Sequence, residues 1–480
     1  MDRYTVLAFD LGASSGRAIK AQYQANMLTY EEVYRFENNP VTRDGTLYWD
    51  FDTLEAEIRT GIEKAGDFDS LGFDTWGVDF GLLDENGELL EPPVHYRDTR
   101  TNGMPEKLFA RARLDKETLY KNTGNQIMAI NTLFQLMALK ETKPELLSRA
   151  KTLLFMPDLL AYRLTGKPSC EMTIASTSQM LNPVTKSWSD EVLNACGLDT
   201  SMLLTPVPSG TVTGAYKGAK VIAVAGHDTQ CAVAAVPTTG KDVAFLSCGT
   251  WSLLGAELDG PVLTKESLEL ELSNEIGANG KINYLKNIIG LWLVQESRRQ
   301  YRRQGQSYSF SELEQLAVAA EPLKCFIDPD APEFGVPGDI PELVRTFCKR
   351  TGQYVPQTVG EIIRCINESL ALKYRYVMDQ LECATGKHYS TLHILGGGIQ
   401  SGLLCQLTAN SCQIPVIAGP VEATALGNIM IQLVVLGALK NIDEGRTLIA
   451  KNETLKRYQP QEPELWNRAY ETYKKILEGG

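Results

Sequence analysis

The stretch that decides the reading of this chain is residues 5–24, TVLAFDLGASSGRAIKAQYQ. Thr5 to Leu11 is an apolar run of β type, Gly12-Ala13-Ser14-Ser15-Gly16 is a turn, and Arg17 to Tyr23 alternates polar and apolar with the period of a strand. A strand, a tight glycine- and serine-rich turn and a second strand make a hairpin whose backbone N–H and hydroxyl groups can form an anion-binding nest. The same five residues match GxSxG, the nucleophile elbow of serine hydrolases, but that elbow needs a helix directly after it. RAIKAQYQ reads as a strand, which argues against an esterase and its nucleophile Ser14.

Working outward, a third strand is expected near Tyr30–Phe36, then a helix from Asp50 with Leu54, Ile58 and Ile62 four apart and Asp50 or Asp52 as its cap. Strand patterns at Leu71–Trp76 and Val78–Leu83 end in the turn Asp84-Glu85-Asn86-Gly87. Strands come first and then alternate with helices, which predicts an α/β fold with an antiparallel meander leading into a parallel sheet. The opening theme returns near residue 240, where Val243–Leu246 runs into SCGTWSLLG, so that Gly12 overlies Gly249 and Ser15 overlies Ser252. The echo predicts two related lobes, with a boundary in the turn Pro237–Lys241. Further on come a long helix over Val359–Ala384, strand Thr391–Leu395, a glycine triplet around Gly397, and helices Leu403–Ser411 and Ala423–Leu436. A last amphipathic helix, Leu465–Leu477, carries Trp466, Tyr470, Tyr473 and Leu477 on one face and is expected to pack on a lobe.

Composition bounds the function. The 480 residues suit about two to four domains. With 47 basic and 59 acidic side chains the net charge is −12, which argues against a partner bound through a phosphate backbone, such as nucleic acid, but leaves small phosphorylated ligands open. Ten Cys without a CxxC pair read as reduced, packed thiols, and four His leave little for a histidine-rich metal site. The opening MDRYTVLAFD is not read as a secretory leader, and Ile429–Leu439 is too short to span a bilayer. A cytoplasmic protein with no membrane association and no obligate protein partner is expected. There is no P-loop, and LGGGIQSG has Ser401 where a dinucleotide fingerprint needs its last Gly.

Individual residues stand out with two readings each. Asp10, ending the first strand, would hold a hydrated magnesium ion or bond its own turn. Asp228 in Gly226-His227-Asp228-Thr229 reads as a helix N-cap or as a proton acceptor for a sugar hydroxyl. Gly397 reads as a helix-initiating turn or as a place where backbone approaches a nucleotide.

The ordered set DLGASSGR (10–17), TWGVDFGLLD (75–84), YRDTRTNG (96–103), MPDLLAYRLTG (156–166), GHDT (226–229), SCGTWSLLG (247–255), LKNIIGLWLVQE (285–296), LGGGIQ (395–400) and GPVEATALGNI (419–429) resembles the FGGY carbohydrate kinases. The resemblance runs in order from residue 5 to about 440. It implies two actin-like (ribonuclease H-like) lobes around a central nucleotide and sugar cleft. These would be an N-terminal lobe over 1–238, a C-terminal lobe over 239–438 and a helical extension over 439–480. It implies transfer of the ATP γ-phosphoryl group to the primary hydroxyl of L-rhamnulose, giving L-rhamnulose 1-phosphate. By motif, Asp228 would be the proton acceptor, with Gly77, His227, Thr229 and Asn287 on the sugar. Ala13, Ser14, Ser15, Gly16, Arg17, Thr250, Gln295 and Gly397 would contact ATP, with Mg2+ near Asp10. The alternatives are a kinase for another ketose or polyol, and a non-catalytic actin-like ATP binder. Val236-Pro237 stands where family members often carry a Gly, which puts the hinge geometry in question.

Overall fold

The computed structural model describes residues 3–110 and 114–479. Strand Tyr4–Leu11 is buried from Val6 onward, as an uninterrupted apolar run is when strands flank it on both sides. It pairs antiparallel with Ser15–Gln24, which pairs antiparallel with Met27–Glu37. On its other side it runs parallel to Ser70–Thr75, which runs parallel to Ala219–Ala223; Thr211–Tyr216 closes that edge antiparallel. The expected meander leading into a parallel sheet is therefore present as one six-stranded sheet. The edge strand Met27–Glu37 carries exposed Glu31, Glu32 and Arg35, charges that discourage pairing with another chain.

Helix Phe51–Ala65 lays Phe51, Leu54, Ile58, Ile62 and Ala65 against the core. Asp50 holds the N-cap position, but its carboxylate accepts from Thr53 Oγ1 at 2.8 Å and makes no bond to a backbone N–H. Phe9 and Phe73, on neighbouring strands, stack at 5.1 Å between centroids. Leu71–Trp76 and Val78–Leu83 of the sequence reading are found as Ser70–Thr75 and Phe80–Leu83, and the Asp84–Gly87 turn closes through Gly87 N donating to Asp84 O at 3.1 Å.

Contacts divide the chain into two compact units. The first joins the chain up to Thr239 with Glu257–Tyr284 and Glu422–Asn452; the second joins Gly240–Ala256, Leu285–Val421 and the chain from Glu453 on. In the second unit Val243–Cys248 pairs antiparallel with the strand that starts at Trp251 and parallel with Thr391–Leu395. Val416–Ala418 follows in parallel, and Lys456–Tyr458 closes antiparallel. Each unit thus repeats one plan, a hairpin whose first strand has a parallel neighbour. The long helix Val359–Thr385 starts in a capping box of Thr358 and Glu361 and stops at left-handed Gly386.

The last helix, Pro463–Gly479, packs on helices Val359–Thr385 and Gly402–Cys412 of its own unit. Trp466, Tyr470 and Tyr473 are buried as expected, but the fourth buried large residue is Ile476, and Leu477 is only half-buried. Ala469 is buried on the same side, so the covered face runs through Ala469, Tyr473 and Ile476. All ten Cys are free thiols, and Cys383 alone is exposed. The fold gathers Cys325, Cys348 and Cys365 so that their sulfurs lie within 4.8 Å of one another, a grouping that their sequence spacing does not suggest. No helix among the described residues is long and apolar enough to cross a membrane.

Helices Asp228–Ala234 and Ala423–Val435 of the first unit meet at Gly427, where an added Cβ would sit 1.9 Å from the Cys231 carbonyl oxygen. Gly427→Ala must push two backbones apart, so we expect a loss of about 2 kcal/mol or more in denaturant unfolding. An unchanged midpoint would refute this close approach.

Candidate functional site

In the first hairpin, Gly12 N donates to Ser15 O at 2.9 Å, and Asn38 ties the turn down by donating from its side chain to Gly12 O at 3.0 Å. Gly16 is required where it stands, since a Cβ there would lie 2.2 Å from the Phe36 ring. Ser14 is exposed, and a strand, not a helix, follows, so the elbow of a serine hydrolase is absent.

The second hairpin closes through Gly249 N donating to Trp251 O at 2.8 Å. Its turn is one residue shorter, so the counterpart of Ser15 is Trp251, not Ser252 as the constant shift predicts. Ser252 is fully buried and 2.8 Å from Tyr374 Oη, a core contact and not a turn hydroxyl. The carbonyls of Gly249 and Thr250 accept backbone N–H groups of Leu291 and Trp292, which fastens the turn to the start of helix Trp292–Arg303. Thr250 Oγ1 donates to Gln295 Oε1 at 3.3 Å, so two of the expected ATP residues meet within the second unit. In the glycine triplet, Gly396 has φ +80°, and a Cβ on Gly398 would strike Cys248 Sγ. Gly397 alone faces open space, as a backbone site for a ligand requires. The turn leads into helix Gly402–Cys412, capped by Ser401. Asn287 is half-buried on strand Ile282–Ile289, whose last N–H donates to Asp330 Oδ1 at 2.8 Å. Buried Lys373 holds Asp330 at 3.0 Å and Asp328 at 2.9 Å.

In the first unit, carboxylates collect at strand ends. Asp10 and Asp74 are register partners on parallel strands, and Arg17 faces Asp10 across the hairpin. Arg17 is ion-paired with both Asp10 and Glu422. Burial opposes its charge, but the two carboxylates outweigh that and keep the guanidinium firmly protonated. Asp74 is fully buried; its Oδ2 accepts from Asn428 Nδ2 at 2.7 Å, and its Oδ1 has no partner. Burial first, then the charges of Asp10 and Asp228, raise its pKa well above the usual carboxylate range.

The GHDT segment turns from strand Ala219–Ala223 into helix Asp228–Ala234. The N-cap is His227, and Asp228 is the first helical residue, which corrects the N-cap reading of Asp228. Its Oδ1 accepts from Thr229 N at 2.5 Å, and its side chain keeps 31% of its surface. Crowding by protein raises its pKa; His227 pulls the other way and Asp10 adds to the rise. His227 Nδ1 lies 3.0 Å from Glu275 Oε2, and Nε2 lies 3.5 Å from Asp228 Oδ1. A Cβ on Gly77 would come within 3.5 Å of that Nε2, so Gly77, His227, Asp228 and Thr229 share one neighbourhood. Beside Gly77, Val78 has φ +66°, a strained value for a β-branched residue. It is held there by Thr177 Oγ1, which accepts from Val78 N, and by Thr132 Oγ1, which donates to Val78 O. Asp79 anchors the same turn. Burial lifts its pKa to about 6 despite hydrogen bonds from Trp49, Trp76 and Gln135.

Behind GHDT, Glu171 Oε2 accepts from Gly226 N, Thr173 N, Thr173 Oγ1 and Ile174 N, and Oε1 accepts from Ser209 Oγ. Sequence reasoning missed Asp74, Glu171, Glu275, Asn428 and Glu422. Asp74 left a signal, because it stands near the end of its strand as Asp10 does in the first, and Glu422 and Asn428 lie within the quoted stretch 419–429.

Residues 5–245 match the FGGY family of carbohydrate kinases, N-terminal domain, and residues 244–436 match the C-terminal domain of that family. A rhamnulokinase from Bacteroides thetaiotaomicron is 43% identical, covering 98% of this chain and 99% of its own length. One from Enterobacter sp. is 42% identical over 95% and 94% of the two chains. Among solved structures, gluconate kinase from Lactobacillus acidophilus superposes with a TM-score of 0.79 at 16% identity, covering 99% of this chain and 98% of that one. Plasmodium falciparum glycerol kinase with ADP gives 0.77 at 14% identity, covering 99% and 97%. The two-domain actin-like fold is the fold of this chain.

Glu171→Ala strips the acceptor from three buried backbone N–H groups, and we expect it to cost about 3 kcal/mol or more in denaturant unfolding. In Glu171→Gln the amide oxygen still accepts from those N–H groups and the amide N–H donates to Ser209 Oγ, so at least half of the loss should be recovered. Equal losses in the two variants would refute the role given to this carboxylate.

Proposed function

The chain belongs to the FGGY family of carbohydrate kinases, and from that premise we propose that it transfers the γ-phosphoryl group of ATP to the primary hydroxyl of L-rhamnulose, giving L-rhamnulose 1-phosphate and ADP. The substrate follows from the rhamnulokinases at 41–43% identity over nearly the full chain. Its natural setting is the cytoplasm, where ATP is supplied. The observation that carries the mechanism is Asp228, a half-buried carboxylate of raised pKa at a helix start, adjoining His227 and Gly77.

Asp228 orients the sugar hydroxyl and takes its proton as the new O–P bond forms. Gly77, His227, Thr229 and Asn287 bind the sugar. Gly77 contributes close backbone, and His227 is fixed through Nδ1 by Glu275. For ATP, Ala13 to Arg17 offer backbone N–H and hydroxyl groups to phosphate oxygens, and Thr250, Gln295 and Gly397 serve the nucleotide. Thr250 and Gln295 already bond each other, and Gly397 is open to a ligand.

Magnesium fits the first unit. A buried Asp74 oxygen has no partner, and its neighbour Asp10 adds negative charge that a cation would offset. Asp10 and Asp74 are the residues that would hold the ion, Asp10 through water. When bound, magnesium draws negative charge off the transferring phosphate. Arg17 limits repulsion between Asp10 and Glu422 while leaving the Asp74 oxygen unpaired.

Coupled ADP release across a panel of ketoses and polyols tests the substrate. L-Rhamnulose should give the highest kcat/KM, and omission of magnesium should abolish turnover. Preference for another ketose or a polyol would replace the substrate and keep the kinase. Asp228→Asn should retain sugar binding and lose at least about 10²-fold in kcat. Turnover near that of the unmodified protein would overturn the role of Asp228.

A further inference from the structure

We propose that Glu275, His227 and Asp228 form a proton relay, in which His227 Nε2 receives the proton that Asp228 takes from the sugar hydroxyl and Glu275 is the positioning residue. The proposal deepens the reading above and rests on Asp228 being the proton acceptor.

The relay is built from behind. Glu275 is 4% exposed, and its Oε2 lies 3.0 Å from His227 Nδ1. Gln230 Nε2 donates to the same oxygen at 2.7 Å, and Asn283 Nδ2 donates to Gln230 Oε1, so the acceptor is fixed in place. A carboxylate facing Nδ1 keeps the ring proton there in the neutral imidazole and leaves the Nε2 lone pair free. That lone pair is 3.5 Å from Asp228 Oδ1, a separation that shortens when a proton lies between the two groups. Gly77 puts no side chain in the way, and His227 N donates to Thr173 Oγ1 at 3.3 Å, which holds the backbone.

The step balances. The sugar O–H bond breaks as its oxygen bonds the γ-phosphorus, and the bond from that phosphorus to the ADP oxygen breaks. The proton rests on Asp228 and passes to Nε2, and the imidazolium sits against the Glu275 carboxylate until it releases the proton to solvent. The placement follows the logic of the serine protease triad, where a buried carboxylate holds an imidazole in the tautomer that can accept a proton. Among the described residues, the charged groups that bear most on His227 are Glu275 from strand Ser273–Ile276, Asp228 at the start of the helix that His227 caps, and Glu171 ahead of helix Met172–Ala175. Burial alone would lower the pKa of His227; the three carboxylates outweigh it and raise the value.

Glu275→Gln in the full-length protein tests the relay, because the amide still accepts from Nδ1 but carries no charge. Below the pKa of His227 the ring is already protonated and cannot accept, so the rate falls on the acid side. Without the Glu275 charge that pKa drops, and the acid limb of kcat should move to lower pH by about one unit. The plateau should fall about tenfold, with the KM for the sugar changed less than about twofold. Glu275→Asp restores the charge and should return the limb toward its original position. If Glu275→Gln proves unstable by thermal melting, His227→Gln serves in its place and should shift the acid limb to the pH at which Asp228 itself is protonated. An unmoved limb in folded Glu275→Gln, or a His227→Gln profile whose limb stays at its original pH, overturns the relay. Loss of activity in Asp228→Asn together with an unmoved limb removes the relay alone, whereas an active Asp228→Asn removes the reading beneath it.

Discussion

The structure of the first unit turns on a guanidinium held between two carboxylates. Strand register puts Asp10 beside Asp74, hairpin register puts Arg17 opposite Asp10, and Arg17 also reaches Glu422. Negative groups so close in a poorly hydrated interior repel strongly and would drive up one another's pKa values. Arg17 satisfies part of that demand. Asp74 shows what is left over, with an unpartnered oxygen and a strongly raised pKa, and Asp228 lies close enough to feel the same field. The site is thus poised for a cation. It also keeps the proposed base more basic than a free carboxylate, which suits a group that must take a proton from an alcohol.

Most of the fold was legible because it is written in local patterns. The strand–turn–strand of residues 5–24, the helix after Asp50 and the meander leading into a parallel sheet each follow from periodicity and turn residues over short spans. The errors fall where packing decides between two acceptable local answers. Asp50 sits at a cap and yet bonds a threonine hydroxyl, and Ile476 is buried in preference to Leu477 on the face that carries Ala469 and Tyr473. The second hairpin turn is one residue tighter than the first, so a constant shift between the halves misassigns Ser252.

Of the candidate site, only residues at the ends of elements or in turns were legible. Gly77 and Gly397 stand in turns, Asp10 near a strand end and Asp228 at a helix start, places where a residue type has a local reason to be chosen. The groups behind them do not. Glu171 gathers donors from Gly226, Thr173, Ile174 and Ser209, and Glu275 reaches His227 from a strand far along the chain. Nothing in the residues around Glu275 distinguishes it from a surface glutamate. Its role exists only because the first unit recovers residues 257–284 after the chain has entered the second.

This division of labour bears on how an acidic chain can serve a polyanionic substrate. Attracting ATP with clustered Lys would need many cations and would give little orientation, since each acts as a point charge on a flexible stem. The expected phosphate groups here are backbone N–H donors and hydroxyls in the turn Ala13–Gly16, held by Asn38 and by the Gly16 approach to Phe36. Backbone donors are fixed before the ligand arrives, so little reorganisation is left for the moment of reaction. Arg17, beside this turn, is committed to its own carboxylates. With net charge −12, neutralisation of the phosphates would, in the proposed mechanism, fall to a metal ion that arrives with the nucleotide, and carboxylates such as Asp10 and Asp74 would be the means of holding it.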